Sequence, residues 1–473
     1  MISCKYFIYI YKYRNISVFL KKSKEKGHPK DLFPKNNDLF PSNHNKETCF
    51  PQPVYTFAAI QTIRYMKSIL LSAALFTAWS SSGEASAMTR SPLMDNHDTN
   101  QPEVRTSQPR QTAIKSGELW LDDSGRHINA HGGGVLKYGD TYYWFGEHKA
   151  DTTSSAMVGV MCYASEDLVN WRNMGVALSV TDEQGADIER GCILERPKVI
   201  YNKVTGKFCM WFHLELKGQG YRAARYGVAV GDRPEGPYKF LYSQRANPGT
   251  YPVVPTADGR DVGPMGSHDR AVLDTLRLEN YKDWWTPVWR KAIGQGLFLK
   301  RDFATGQMAR DMTLYVDDDG KAYHIFSSED NLTLHIAELT NDYLHHTGRY
   351  TRVAPGGQNE APALFKKDGT YWMITSGCTG WDPNEARMFS APSIWGPWTQ
   401  HPNPCRGPKQ EITFGGQSTF ILPVGHRFIF MADIWRPKHP SDARYIWLPI
   451  EFEEGKPVVR WRDAWNLNEL EQK

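Results

Sequence analysis

Several things are scarce in this sequence of 473 residues, and each shortage excludes a class of function. Surplus charge is scarce: 56 Lys and Arg stand against 52 Asp and Glu, leaving +4. No basic cluster marks the body of the chain, so a nucleic-acid partner is not expected. Long apolar runs are lacking. The one apolar stretch near the start, within Met66–Trp79, is too short to span a bilayer comfortably, so no membrane span is expected. Cysteines are few, and those after residue 160 (Cys162, Cys192, Cys209, Cys378, Cys405) are odd in number and lack metal-ligand spacing. No zinc site, other metal site or cofactor is therefore expected, although the sequence does not exclude a structural calcium.

Aromatics, in contrast, are abundant: 13% of residues, 16 of them Trp. That suits both β-hairpins and the faces of sugars.

The chain is organised by one repeated pattern. A polar head residue opens a β-rich run, a Gly-containing turn follows, and a second β-rich run returns. The clearest copy is NEAPALFKKDGTYWMI, headed by Glu360. The others begin at His131 (HGGGVLKYGDTYYWFGE), Glu195 (ERPKVIYNKVTGKFCMWFH), Asp311 (DMTLYVDDDGKAYHIFSS) and Gln417 (QSTFILPVGHRFIFMAD). After the first, second, fourth and fifth copies a further hairpin can be read. Two hairpins make one four-stranded blade, so five copies predict an all-β, five-bladed β-propeller. The five heads would then ring one pocket at the end of a central channel. Three of them are acids: Glu195, Asp311 and Glu360. One acid at a strand end is unremarkable, but acids at three equivalent inner stations need a use or a partner.

The propeller is expected over residues 116–473. Residues 66–87 read as a signal peptide, with Ala85-Ser86-Ala87 as its cleavage site. Residues 1–65 ahead of it read as an over-extended reading frame or a disordered extension, and 88–115 as a polar linker. A secreted or periplasmic protein is expected. Glu195 and Asp311 are spaced far more widely than the later heads, which implies an insertion near residues 243–305. It is expected to wall the pocket, with Trp284, Trp285 and Trp289 either stacking on sugar rings or packing in the loop's own core. Trp381 and Trp435 follow the second strands of the fourth and fifth copies, where loops overhang the channel. Both are expected to contact substrate, as are Tyr221 and Thr379. His131 reads as a sugar ligand or as a structural histidine. Glu147 and His148 stand behind it.

Paired carboxylates around an aromatic channel fit glycosidic bond cleavage, in which one protonated acid serves the leaving oxygen and a second group serves the water. Glu360 with Asp311 nearby meets the need for an acid of raised pKa.

The motifs ASEDLVNW, NEAPALFKKDGTYWMITSG and APSIWGPW, spread over about residues 125–465, resemble those of glycoside hydrolase family 43. The resemblance implies a five-bladed propeller and hydrolysis with inversion, with Glu360 as general acid and Asp311 as the residue that tunes it. The family's blade-one base Asp is absent; Asn129-Ala130-His131 stands there instead. This resembles the exo-β-1,3-galactanase subgroup, with its AHGGG, ERPKV and GGQS motifs. That subgroup implies Gln417 in the place of the base and Glu195 as a substrate ligand. The expected partner is a polysaccharide or oligosaccharide, and the expected reaction is exo-acting release of galactose from β-1,3-galactan. Two alternatives stand beside it: an α-L-arabinofuranosidase or β-xylosidase of the wider family, and a sugar-binding propeller without catalysis.

Overall fold

A computed structural model of the chain describes residues 110–471. The segments read as extension and signal peptide, and most of the linker, lie outside the described residues.

Five four-stranded antiparallel blades form in chain order. Blade one is β1 (His131–Tyr138), β2 (Thr141–Glu147), β3 (Gly159–Ser165) and β4 (Arg172–Ser179). Blade two is β5 (Ile193–Asn202), β6 (Lys207–Glu215), β7 (Arg225–Gly231) and β8 (Lys239–Gln244). An insertion follows, with the short hairpin β9 (Val253–Pro255) and β10 (Val262–Pro264) and the helices α1 (Ser267–Thr275), α2 (Pro287–Gly294) and α3 (Leu297–Arg301). Blade three is β11 (Met312–Val316), β12 (Ala322–Ser328), β13 (Thr333–Leu339) and β14 (His346–Val353), and blade four is β15 (Glu360–Lys367), β16 (Thr370–Ser376), β17 (Arg387–Ala391) and β18 (Thr399–His401). The short β19 (Cys405–Arg406) precedes blade five, which is β20 (Gln417–Val424), β21 (Arg427–Ile434), β22 (Arg444–Glu453) and β23 (Lys456–Arg460). β19 adds to β23 in parallel as a fifth strand.

The predicted turn chemistry holds. Between β15 and β16, Asp368 and Gly369 both take positive φ (50° and 78°), as a two-residue type I′ hairpin requires. Blade three has the second hairpin that sequence patterning did not reveal. It begins four residues after β12, through Glu329, Asp330 and Asn331, all with left-handed φ.

The first strands β1, β5, β11, β15 and β20 are the inner ones, and neighbours among them touch around a closed ring. Their far ends enclose a cavity of about 460 Å³ lined by Leu136, Ile200, Leu314, Phe365 and Leu422, with Lys198 at its border. Apolar seams fill the space between blades. The insertion belongs to the seam of blades two and three. Trp289, Ile293, Leu297 and Phe298 pack there with Trp211 and Tyr226 of blade two and Phe326 and Tyr350 of blade three. Of the two readings open for Trp289 this favours core, since it is 1% exposed. Trp284 is half exposed and stacks on it at 5.1 Å.

The end of the presumed linker is also engaged. Ile114 is buried and bridges Trp465, and Ser116 exchanges hydrogen bonds with the backbone of Trp447.

Candidate active site

The five head residues stand at the same end of the five inner strands, and the local backbone explains how they face inward. In blades one, two and four the strand register slips just after the head: between His131 and Gly134, Glu195 and Lys198, and Glu360 and Ala363. The residue after the head takes left-handed φ each time, at Gly132 (60°), Arg196 (57°) and Ala361 (51°). These are β-bulges, which re-aim side chains next to active sites. Blade one uses glycine there. A Cβ on Gly132 would lie 2.4 Å from Glu147 Oε1, so the position also needs the missing side chain.

Four of the five heads are matched by a residue at or near the end of the blade's second strand. His131 pairs with Glu147, Glu195 with His213, Glu360 with Ser376, and Gln417 with Asp433. This outer row carries polar groups that the sequence reading largely passed over.

Arg196 is the hub. It is buried, and its guanidinium donates to Asp311 Oδ2 (2.9 Å), Gln417 Oε1 (2.6 Å) and the Ser418 carbonyl (3.0 Å). It also lies over the Trp435 ring at 5.3 Å, a cation–π contact. One cation thereby joins blades two, three and five. Gln417 is fixed on both sides of its amide. Its oxygen also accepts from Trp435 Nε1 (2.9 Å), and its Nε2 donates to Ser376 Oγ (2.9 Å).

Glu195 accepts from the Tyr221 hydroxyl at 2.9 Å and lies 3.1 Å from His213 Nδ1. Burial acts to raise its carboxyl, but His213, Lys149 and Tyr221 overcome this and hold it at about 2. His213 lies between Glu195 and Glu215. Burial acts to depress it, yet those two carboxylates hold it at about 9, as an imidazolium. Glu195, His213 and Asp311 bring ligand atoms within 4.8 Å of one another, a spacing suited to a cation. Arg196 on Asp311 and Lys149, 3.9 Å from Glu195, bring positive charge to the same donor set.

Glu360 is only partly buried by its neighbours, and Asn331 Nδ2 donates to its Oε1 at 2.6 Å. Desolvation first, and the negative charge of Asp311 second, push its carboxyl up to about 7. Asp433, buried, accepts from the Gly132 N–H at 2.6 Å and is also pushed up to about 7, chiefly by burial.

The remaining predicted residues fall into place unevenly. Trp381 is exposed at the rim and meets Trp435 edge-on at 5.7 Å. Thr379 is exposed, but its hydroxyl donates to the Asp382 carbonyl and so holds its own loop. His131 is fully buried and stacks on Tyr445 at 5.6 Å, which favours the structural of its two readings. The insertion reaches this assembly through Arg301. It pairs with Asp330, beside Asn331; Arg310, just ahead of blade three, donates to the Tyr221 carbonyl.

A closed five-bladed ring with this set of carboxylates matches proteins already known. One solved structure, a family 43 β-1,3-galactosidase with bound galactodeoxynojirimycin, is 59% identical to this chain with a TM-score of 0.71; the match covers 75% of this chain and all of that one. The chain belongs to glycosyl hydrolase family 43. The family's own profile, "Glycosyl hydrolases family 43", matches residues 288–435. An exo-β-1,3-galactanase from Phanerochaete chrysosporium, solved with β-1,3-galactotriose, is 31% identical with a TM-score of 0.59, over 75% of this chain and 68% of that one. A curated relative, the xylan 1,3-β-xylosidase of a Vibrio species, is 22% identical over 363 residues. The match takes in 70% of this chain and 54% of the relative, so this chain spans about half of that protein's length. This family 43 chain is a glycoside hydrolase acting on a saccharide. Among its described residues no helix is long and apolar enough to cross a membrane.

Proposed function

We propose that this enzyme removes galactose from the end of β-1,3-galactan, the backbone type of plant arabinogalactan, with inversion at the anomeric carbon. Glu360 is the general acid and Asp311 tunes it. Gln417 holds the attacking water on the opposite face of the sugar. Glu195 and Tyr221 bind the terminal residue, with Trp435 and Trp381 as stacking platforms and Thr379 shaping the rim.

The observation that carries this reading is the amide of Gln417. It occupies blade five's inner station, gripped by Arg196, Trp435 and Ser376, while the blade-one head carries a buried histidine and no carboxylate. The 59% identity to a β-1,3-galactosidase supports the choice of sugar. The Vibrio xylosidase keeps a xylosidase or arabinofuranosidase as the second reading. The stretch 66–87 supports export.

The test is product analysis on β-1,3-galactan, xylan and arabinan, with the anomeric form of the first product read by NMR. Galactose alone, released in the α form from the β-linked chain end, is expected. Xylose or arabinose in its place would move the substrate to the second reading. Binding without release of any sugar would turn the protein into a lectin.

A further inference from the structure

An inverting hydrolysis needs somewhere for the water's proton to go. Gln417 is poorly suited to receive it. Its oxygen already accepts two hydrogen bonds and its nitrogen is a donor to Ser376. An amide nitrogen has no available lone pair, and an amide oxygen beside a guanidinium resists protonation. The neighbouring carboxylates are committed too. Glu195 is matched by His213 and Tyr221, Asp311 by Arg196, and Glu147 by Lys149.

Asp433 is different. It sits directly across the strand pair from Gln417. Its Oδ2 accepts from the Gly132 N–H at 2.6 Å, which brings a blade-five carboxylate to the head of blade one, the station that lacks one of its own. Arg196 and Lys198 from β5 face it, with Glu147 from β2 and Tyr445 from β22. None of these lies within ion-pair distance of it in the described residues, so its charge is not tied to one partner.

Resting on the inverting reading above, we propose that Asp433 is the terminal proton acceptor of the hydrolytic step, with Gln417 fixing the attacking water and one further water linking it to Asp433. As the water oxygen bonds to the anomeric carbon, the glycosidic C–O bond breaks and the Glu360 proton passes to the leaving oxygen. The proton shed by the attacking water moves through the linking water to the Asp433 carboxylate. Exchange with solvent then returns Asp433 to the anion and Glu360 to the acid. A carboxyl held near 7 by burial has enough proton affinity to hold that proton, which Glu195, at about 2, does not.

The experiment compares wild type, Asp433→Asn and Asp433→Glu on β-1,3-galactobiose across pH, with and without sodium azide. Asn keeps the acceptor oxygen for Gly132 but cannot take a proton. Its kcat should fall about 100-fold or more with KM nearly unchanged. Azide, a nucleophile that needs no base, should restore turnover and give the α-galactosyl azide. Asp433→Glu should keep part of the activity with its acidic limb displaced. A fall in stability or a rise in KM alone, with kcat kept and no azide product, would make Asp433 structural and overturn the proposal. If Asp433→Asn does not fold, an unmoved acidic limb in Asp433→Glu overturns it equally. A wild type that releases no galactose fails the galactosidase reading instead, so the two failures are distinct.

Discussion

At Glu360, two effects of the fold converge on one carboxyl. Burial and the negative charge of Asp311 raise it to about 7, while Arg196, Asn331 and the Cys378 thiol act in the opposite sense. A general acid must carry its proton in the free enzyme, so kcat/KM is expected to fall as pH rises through about 7. Asp311→Asn removes a like charge, so the alkaline limb should move to lower pH; a limb that stays in place would exclude Asp311 as the tuning group. Glu360→Gln should lower kcat by about 10²–10⁴ with the fold intact, checked by circular dichroism. Glu195, Asp311, Glu360 and Gln417 were legible in the sequence because each opens a repeat. Arg196 was not. Strand alternation turns the neighbour of an inward residue outward, and only the left-handed φ of 57° brings this side chain back into the channel. Asp433 was visible as the end of FIFMAD, but its meaning depends on a register that pairs it with Gln417 and on a contact with a residue 301 positions earlier.

Among the elements, the inner hairpins announced themselves through alternation and turn residues and the insertion through the wide spacing of Glu195 and Asp311, but the part its aromatics play did not show. Its aromatic residues suit a sugar platform and a core equally well, and only the packing distinguishes them. Trp289 fills the seam behind blades two and three, with its α2 neighbours Ala292 and Ile293 buried beside it. Removing a buried Trp leaves a cavity and costs about 3–5 kcal/mol. Trp289→Ala should therefore lower the thermal midpoint clearly while kcat/KM at 25 °C stays within about twofold, given that surrounding structure relaxes only partly around such cavities. Trp284→Ala, at a half-exposed position, should change both little. A large rise in KM for either variant would restore the insertion to the wall of the pocket.

Over the whole ring, closure combines side chains with the backbone of the segment ahead of blade one, where Ile114 pairs with Trp465 and the Gly117 N–H donates to the Tyr445 carbonyl. Blade five takes its four antiparallel strands from residues 417–460, so no strand is shared between the first blade and the last. A cluster of indoles fills the seam between them. Trp447 on β22 lies 5.2 Å from Trp120, 5.0 Å from Trp144 and 5.8 Å from Trp171. Two residues away, the Tyr445 hydroxyl donates to the Ile128 carbonyl and accepts from the Ala130 N–H. That anchors the chain leading to His131 and Gly132, and so sets the distance from Gly132 to Asp433. The active site draws on all five blades, so it is sensitive to this seam in a way that it is not to the insertion. Trp447→Ala should destabilise by about 3–5 kcal/mol, as Trp289→Ala does. The two should differ in order of failure. On heating, Trp447→Ala should lose activity before its circular dichroism signal, because blades one and five part while each sheet keeps its own ladder. Trp289→Ala should lose both together. Coincident midpoints in Trp447→Ala would mean that the ring melts as one unit and that the seam has no separate role in holding the site.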